Sequence, residues 1–494
     1  MFLKEIRLIL LLKVIQHIYC DYLGLPHFES EWLTIEAQSM LSDLYVEHGL
    51  ASVPGLVEVL VKAVDGPNKD FIFKAIGNGE RDDDLNDNYG GIIYIYNDKE
   101  VRVMAPKRAN SQNMVKYGVA IYTGEYPFWL GINNQKSLQA KVKVRCWKAS
   151  ELLTPCFSTT GHFMAAGSNK LGETYLELSH SLDDYPALVK VRANMIDGLD
   201  PGWYTDAQGS ALISFDTMRY RHLTGGLKYA YDNNTIRIWT SSWPSPSGAM
   251  FTRYDGWGNQ NVLTGITTKG LVDVFAWCNL EVFVEETMHF GPAHKLEDFE
   301  IALPISVPVS QMIMTSVTVE VEDGPNKGYL FEGVGSAMSN FLDTGGQPCR
   351  YGGLIYAYND TILRIWRPGD VTGAAVCIPD TMGFGTNSQS SQNGKLIFKV
   401  YQIYEQAKEN APMRFVCSHF KLLGSDVAYN DNPIDIQKMT SVPLCYQACS
   451  QHSACATYAF HNETCQIYNT TDASLLFTKK QSQVWGLKFR ATNP

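Results

Sequence analysis

The sequence carries one hairpin pattern three times, and any fold must accommodate it. The first copy runs from Gly90 through Ile93-Tyr94-Ile95-Tyr96 and Asn97-Asp98 to Arg102 and Val103. The second spans Gly225 to Ile238, with Tyr229, Tyr231, Arg237 and then Trp239. The third spans Gly352 to Ile365, with Tyr356, Tyr358, Arg364 and then Trp366. In each copy the second Tyr precedes the Arg by six residues (Tyr96 to Arg102, Tyr231 to Arg237, Tyr358 to Arg364). Alternation at a period of two puts successive side chains on opposite faces of a strand, and a short polar cluster then turns the chain. The pattern predicts a β-hairpin used three times.

A second element fixes the register of the repeat. Asp65-Gly66-Pro67-Asn68 returns as Asp323-Gly324-Pro325-Asn326, and in altered form as Asp197-Gly198-Leu199-Asp200. Gly tolerates positive φ and Pro fixes its own φ, so these are turn residues. An aromatic residue and a Gly follow each turn: Phe71 and Gly77, Trp203 and Gly209, Phe331 and Gly335. In the first repeat, strands are predicted near Val57 to Val64, Phe71 to Ile76, Gly91 to Tyr96, Glu100 to Met104, Val119 to Tyr122 and Lys141 to Trp147. About six strands in each roughly hundred-residue unit point to antiparallel β-sandwiches or jelly rolls. The spacing is too long for a solenoid, whose repeats lack cores of their own, so three autonomous domains in a row are expected.

The expected fold class is mainly β: three tandem antiparallel β-sandwich repeats followed by a small disulfide-stapled α+β domain. The segments are 1–20 as a signal peptide, 21–54 as a leader with a short helix around Trp32 to Leu44, and 55–149 as repeat one. A linker at 150–184, repeat two at 185–285, a linker at 286–314 and repeat three at 315–406 follow. At 494 residues the chain exceeds a single core, and its 45% hydrophobic and 19% charged residues describe a globular protein. The net charge of −10 comes without a basic stripe, which argues against a nucleic-acid partner.

The start places Lys4 and Arg7 before Leu8-Ile9-Leu10-Leu11-Leu12, which is similar to a secretory signal with cleavage near Cys20 or Asp21. No later stretch is long and apolar enough to span a bilayer. Removing Cys20 from the eleven cysteines leaves an even number, as suits an oxidising compartment. Sequons stand at Asn233, Asn359, Asn462 and Asn469, the first two in the hairpin turns of repeats two and three. The expected location is extracellular.

Cys417, Cys445, Cys449, Cys455 and Cys465 crowd into the C-terminal part. Cysteines four apart on a short helix share a face and can staple it to two strands. Val442-Pro443-Leu444-Cys445, three residues to Cys449, five more to Cys455, then Phe460 and Cys465 resemble the PAN/apple domain across roughly 416–490. The resemblance implies a Cys449–Cys455 bond, a Cys445–Cys465 bond, and a non-catalytic module that binds protein or carbohydrate. No cysteine follows Cys465, so Cys417 lacks the C-terminal partner that many apple domains use. The three upstream repeats are loosely similar to H-type lectin domains in strand layout alone. Elsewhere Cys349 is expected to pair with Cys377, and Cys146 with Cys156. That leaves Cys278 with Cys417 by elimination.

The repeated Tyr96, Arg102, Tyr231, Arg237, Tyr358 and Arg364 are the candidate ligand-binding residues, because Arg and aromatic faces suit sugars and anions. The competing reading, and the favoured one, has each Arg packing over the tyrosines of its own hairpin as a cross-strand cation–π contact. The acidic run at 82–88 does not match a calcium loop and reads as a solvated loop. Glu286, His289 and His294 make no His-Glu-x-x-His, and read as a linker. No nucleophile elbow and no phosphate-binding Gly-Lys-Ser/Thr loop occurs. The expected function is therefore non-enzymatic, without cofactor or metal: a secreted adhesion protein recognising glycans or extracellular proteins. A structural component of a matrix or coat is the alternative, and a secreted hydrolase a residual one.

Overall fold

The computed structural model describes residues 23–80, 89–107, 118–212, 224–243, 248–253, 256–258, 266–291, 299–303, 308–336, 349–369 and 372–403. It also describes six C-terminal strands, Val427–Ala428, Asp435–Lys438, Thr457–His461, Thr464–Tyr468, Thr478–Lys479 and Val484–Leu487. The protein is mainly β.

Each repeat supplies a three-stranded base. In the first it is Pro54–Ala63, Ile72–Lys74 and Gln139–Lys148. The second supplies Leu188–Met195, Tyr204–Asp206 and Lys269–Trp277, the third Met312–Val321, Leu330–Glu332 and Gly394–Ile403. Within each base the short strand pairs with the first strand at one register: Leu60 faces Lys74, Arg192 faces Asp206, and Thr318 faces Glu332. The three predicted hairpins form at Ile93–Tyr96 with Glu100–Met104, Lys228–Tyr231 with Thr235–Trp239, and Ile355–Tyr358 with Ile362–Pro368.

The repeats do not fold side by side as three separate sandwiches. Every hairpin completes the sheet of the next repeat. Tyr96 pairs with Tyr204, Tyr231 with Leu330, and Tyr358 with Ile72, so the third hairpin returns to the first base and closes a ring. Three large sheets result, each built from two repeats. The cores follow the sheets: one cluster joins Val59 and Tyr94 to Leu212, Phe251 and Trp366. Residues 23–278 and 282–407 accordingly form one compact unit.

The segments expected to be linkers are sheet strands. Phe157–Ala165 pairs with Lys269–Trp277, and Tyr175–Ser179 then adds to the second hairpin. Val284–Phe290 pairs with Gly394–Ile403, and Glu300–Ala302 adds to the third hairpin. The leader does the same. Leu33–Glu36 pairs with Gln139–Val142 and Asp43–Glu47 with the first hairpin, where a helix around Trp32 to Leu44 was expected. Ile35 is fully buried while its neighbours are partly exposed, a strand period rather than a helical one. Only the 3-10 turn Met40–Ser42 is helical there, started by the Ser39 side chain accepting from the Leu41 amide. Glu286 and His289 lie on the strand Val284–Phe290, and His294 falls outside the described residues.

Cys349 and Cys377 form a disulfide with 5.7 Å between their Cα atoms. Cys156 is bonded to Cys278 across 122 residues, not to Cys146, which is a buried free thiol. Strand geometry explains the difference. Cys146 points into the first core at zero exposure, whereas Cys156 directly precedes the strand that pairs with the one ending at Trp277.

The C-terminal residues belong to a second unit comprising 1–22, 279–281 and 408–494. Its described strands form a four-stranded antiparallel sheet in the order 435–438, 464–468, 457–461 and 484–487, and a separate two-stranded pair. Cys417, Cys445, Cys449 and Cys455, the sequons at Asn462 and Asn469, and the acidic run 82–88 lie outside the described residues.

Candidate functional site

The six repeated Tyr and Arg residues sit in the joints between repeats. Tyr94 and Tyr96 donate to the two carboxylate oxygens of Asp206 in the next repeat, at 2.6 and 2.8 Å. Tyr229 donates to Glu332 at 2.8 Å, and Tyr358 accepts from the Thr315 hydroxyl at 3.0 Å. Burial pushes the hydroxyls of Tyr94, Tyr96, Tyr229, Tyr231, Tyr356 and Tyr358 above the ordinary tyrosine range.

The arginines do not stack on their own tyrosines. Arg364 lies 4.3 Å over Phe71 and donates to Asn68 Oδ1 at 2.9 Å and the Pro67 carbonyl at 3.0 Å. Arg237 repeats this on Tyr329, Asn326 and Pro325. Arg364 and Arg237 therefore each clamp the Asp-Gly-Pro-Asn turn of the following repeat, and a carboxylate from the added strand, Glu300 or Glu177, holds the other edge. At the remaining joint Tyr45 stands opposite Arg102 in place of that carboxylate. Asp43 takes over, accepting from Arg102 Nε at 2.8 Å and from its terminal nitrogen at 2.7 Å. These residues are joinery.

The middle of the ring encloses a polar cavity of about 40 Å3. Glu58, Lys190 and Ser316 occupy one equivalent position of the three repeats, and Lys74, Asp206 and Glu332 another. Lys74 pairs with Glu58, and Lys190 with Glu332 at 3.2 Å. Burial lowers the Lys74 ammonium and raises the Asp206 carboxyl, against the pull of Lys190 and the two tyrosine hydrogen bonds. The volume admits about two or three waters and no organic ligand. Opposite charges at these places meet within the first repeat and between the second and third.

A second cavity, of about 500 Å3, opens on the surface at the joint between the third and first repeats. Its loop, Gly124-Glu125-Tyr126-Pro127-Phe128-Trp129-Leu130-Gly131, lies on the third hairpin, with Trp129 opposite Pro368 and Gly131 opposite Trp366. Trp129 is fully buried beneath the loop, 5.6 Å from the Tyr351 ring. A β-carbon on Gly124 would come within 2.0 Å of the Trp129 indole, and Gly124 has φ +84°, so only glycine fits. Tyr351 donates to the Phe128 carbonyl at 2.6 Å, and Asn134 to that of Trp129 at 3.3 Å. Over this fixed floor Tyr126 is 76% exposed, and Glu125 and Lys136 form an ion pair on the rim. An exposed aromatic face beside a carboxylate, an ammonium and an amide can stack the apolar face of a sugar ring and bond its hydroxyls.

Of these pocket residues Gln135 follows the repeat, matching Gln389, whereas Tyr126 does not. The signal that could have found them is the aromatic and Gly/Pro-rich stretch 124–131, which interrupts the strand alternation. Among the described residues no cluster of three or more His, Cys, Asp or Glu could hold a metal, and no helix is long and apolar enough to cross a membrane. Comparison with known protein families, curated proteins and solved structures found no match.

Proposed function

We propose that this is a secreted binding protein that recognises glycans, with the closed ring serving as a rigid mount for the pocket at Tyr126. The observation that carries the reading is the exposed Tyr126 ring over an immobilised floor, flanked by the Glu125–Lys136 pair. A large aromatic exposed over a packed loop and beside a pocket is well placed for ligand contact. The two disulfides and the signal-like start support an extracellular setting. The PAN/apple-like C-terminal region belongs to the same proposal as a second recognition module for carbohydrate or protein.

The test is a glycan array probed with the full-length protein and with Tyr126→Ala. Binding by the wild type that falls at least about tenfold in the variant is the expected result, as for loss of a central aromatic anchor. Binding unchanged by Tyr126→Ala, or no glycan bound together with concentration-dependent polymer formation, would overturn the proposal. The second result would favour a coat or matrix component.

A further inference from the structure

Three buried polar side chains from two repeats meet where the first repeat touches the second hairpin. Asn78 and Glu80 come from the first repeat and Lys228 from the second, and none is more than 1% exposed. The register that places Lys228 puts Ile93 and Ile355 in the other two hairpins. The register that places Asn78 puts Ser210 and Ser336 in the other two repeats. The ring closes twice without a lysine here, so packing alone does not call for one.

Glu80 Oε1 accepts from Asn78 Nδ2 at 3.1 Å and from the Lys228 ammonium. Gln208 Nε2 donates to the same oxygen at 3.0 Å, and the Leu212 amide to Oε2 at 3.1 Å, which fixes the carboxylate. Asn78 Cγ and Lys228 Nζ each lie 3.1 Å from a single point, the place a β-carbon on Gly226 would occupy. Residue 226 being glycine, no side chain is interposed there. The amide N–H of Thr252 donates to Asn78 Oδ1 at 2.7 Å. Trp257 packs on Gly79, between Asn78 and Glu80, where a β-carbon would come within 2.7 Å of the indole. Burial lowers the Lys228 ammonium below the ordinary lysine range, which favours the neutral, nucleophilic amine.

An amine nucleophile, a carboxylate bridging nucleophile and leaving group, and a backbone N–H on the carbonyl oxygen are the parts of an acyl transfer. The geometry points to a self-formed cross-link, an isopeptide bond between Lys228 Nζ and Asn78 Cγ. Glu80 takes one proton from the ammonium, freeing the electron pair that attacks Asn78 Cγ, and passes that proton to Nδ2. Negative charge gathers on Oδ1 against the Thr252 N–H. Glu80 takes a second proton from the attacking nitrogen as the Cγ–Nδ2 bond breaks and the carbonyl re-forms. Ammonia leaves and carries off that second proton as ammonium, so Glu80 ends as the carboxylate it began as. The balance needs no other reactant. The bond ties the first repeat to the second, which neither Cys156–Cys278 nor Cys349–Cys377 does.

The test is mass spectrometry of the full-length protein, reduced, freed of N-glycans and digested with trypsin under denaturing conditions. Trypsin cuts after Lys74, Arg81, Arg221 and Arg237, but not after an acylated lysine. The expected product is a branched peptide, residues 75–81 joined to 222–237, lighter than its two arms together by one ammonia. Fragmentation should place the link at Asn78 and Lys228. Glu80→Gln keeps the shape of the side chain but cannot carry the proton, and its digest is expected to contain the two arms separately. Recovery of both wild-type arms unmodified would overturn the cross-link. So would an ammonia loss confined to residues 75–81, which marks closure of Asn78 onto the Gly79 nitrogen. A branched peptide formed equally well by Glu80→Gln would overturn the role given to Glu80.

Discussion

A β-carbon on Gly335 would stand 1.6 Å from the carbonyl oxygen of Lys74, so the third repeat touches the first backbone to backbone. The same approach brings Gly77 onto Asp206 and Gly209 onto Glu332, at 1.9 and 2.1 Å. None of the three has a positive φ. Glycine is required by the contact, not by the turn. Gly209→Ala is therefore expected to lower stability by about 3 kcal/mol or more, as overpacking against immovable backbone does. Urea unfolding followed by tryptophan fluorescence measures it.

The arginine clamps make a graded prediction. Arg364→Ala removes the contact with Phe71 and the bonds to Asn68, Pro67 and Glu300, and is expected to cost about 2 kcal/mol in a denaturant melt. Arg364→Lys should recover less than half of that, because an ammonium cannot reproduce the planar fork that reaches turn and carboxylate together.

Cys156–Cys278 closes a long loop that ties the segment before the second repeat to that repeat's last strand, so Cys156→Ser with Cys278→Ser is expected to cost roughly 2–5 kcal/mol. In the folded wild type Cys146 should resist a thiol reagent. Its side chain has no exposure, and burial pushes the thiol well above the ordinary cysteine range. Reagent uptake at Cys146 should track global unfolding.

Alkaline pH should unfold the ring. Tyr94, Tyr96, Tyr229, Tyr231 and Tyr356 have folded pKa values raised by burial above their unfolded value near 10. The folded state thus favours the neutral hydroxyl. Its stabilisation is complete below about pH 10 and is lost as pH rises from there towards the folded values. Tyrosinate absorbance at alkaline pH is expected to include a cooperative step that coincides with loss of far-ultraviolet structure, in place of smooth titration by every tyrosine.

The hairpins were legible because period-two alternation, turn residues and the repeated Arg are local. The strand Glu100–Met104 lies where the alternation puts it, and Lys141 to Trp147 extends only slightly, to Gln139–Lys148. Ring closure was not legible. Tyr358 meets Ile72 far along the chain, and nothing in either strand names its partner. The added strands were hidden for a different reason: Phe157–Ala165 is an edge with most of its side chains partly or fully exposed, so it lacks a buried stripe. Cross-strand neighbours, the local default, point Arg364 at its own tyrosines, whereas its aromatic partner, Phe71, comes from another repeat. The Tyr126 pocket left no periodic trace, since an aromatic exposed in a loop fills no position in a buried stripe.

Native-state hydrogen exchange in sub-denaturing urea tests ring closure most directly. The amides of Ile93–Tyr96, Lys228–Tyr231 and Ile355–Tyr358 are the ones to follow, because each belongs to one repeat and is bonded into the next. If the repeats complete one another, all three hairpins should merge into a single unfolding isotherm with one free energy and one urea dependence. Three separate isotherms, each hairpin opening with its own repeat, would contradict the closed ring.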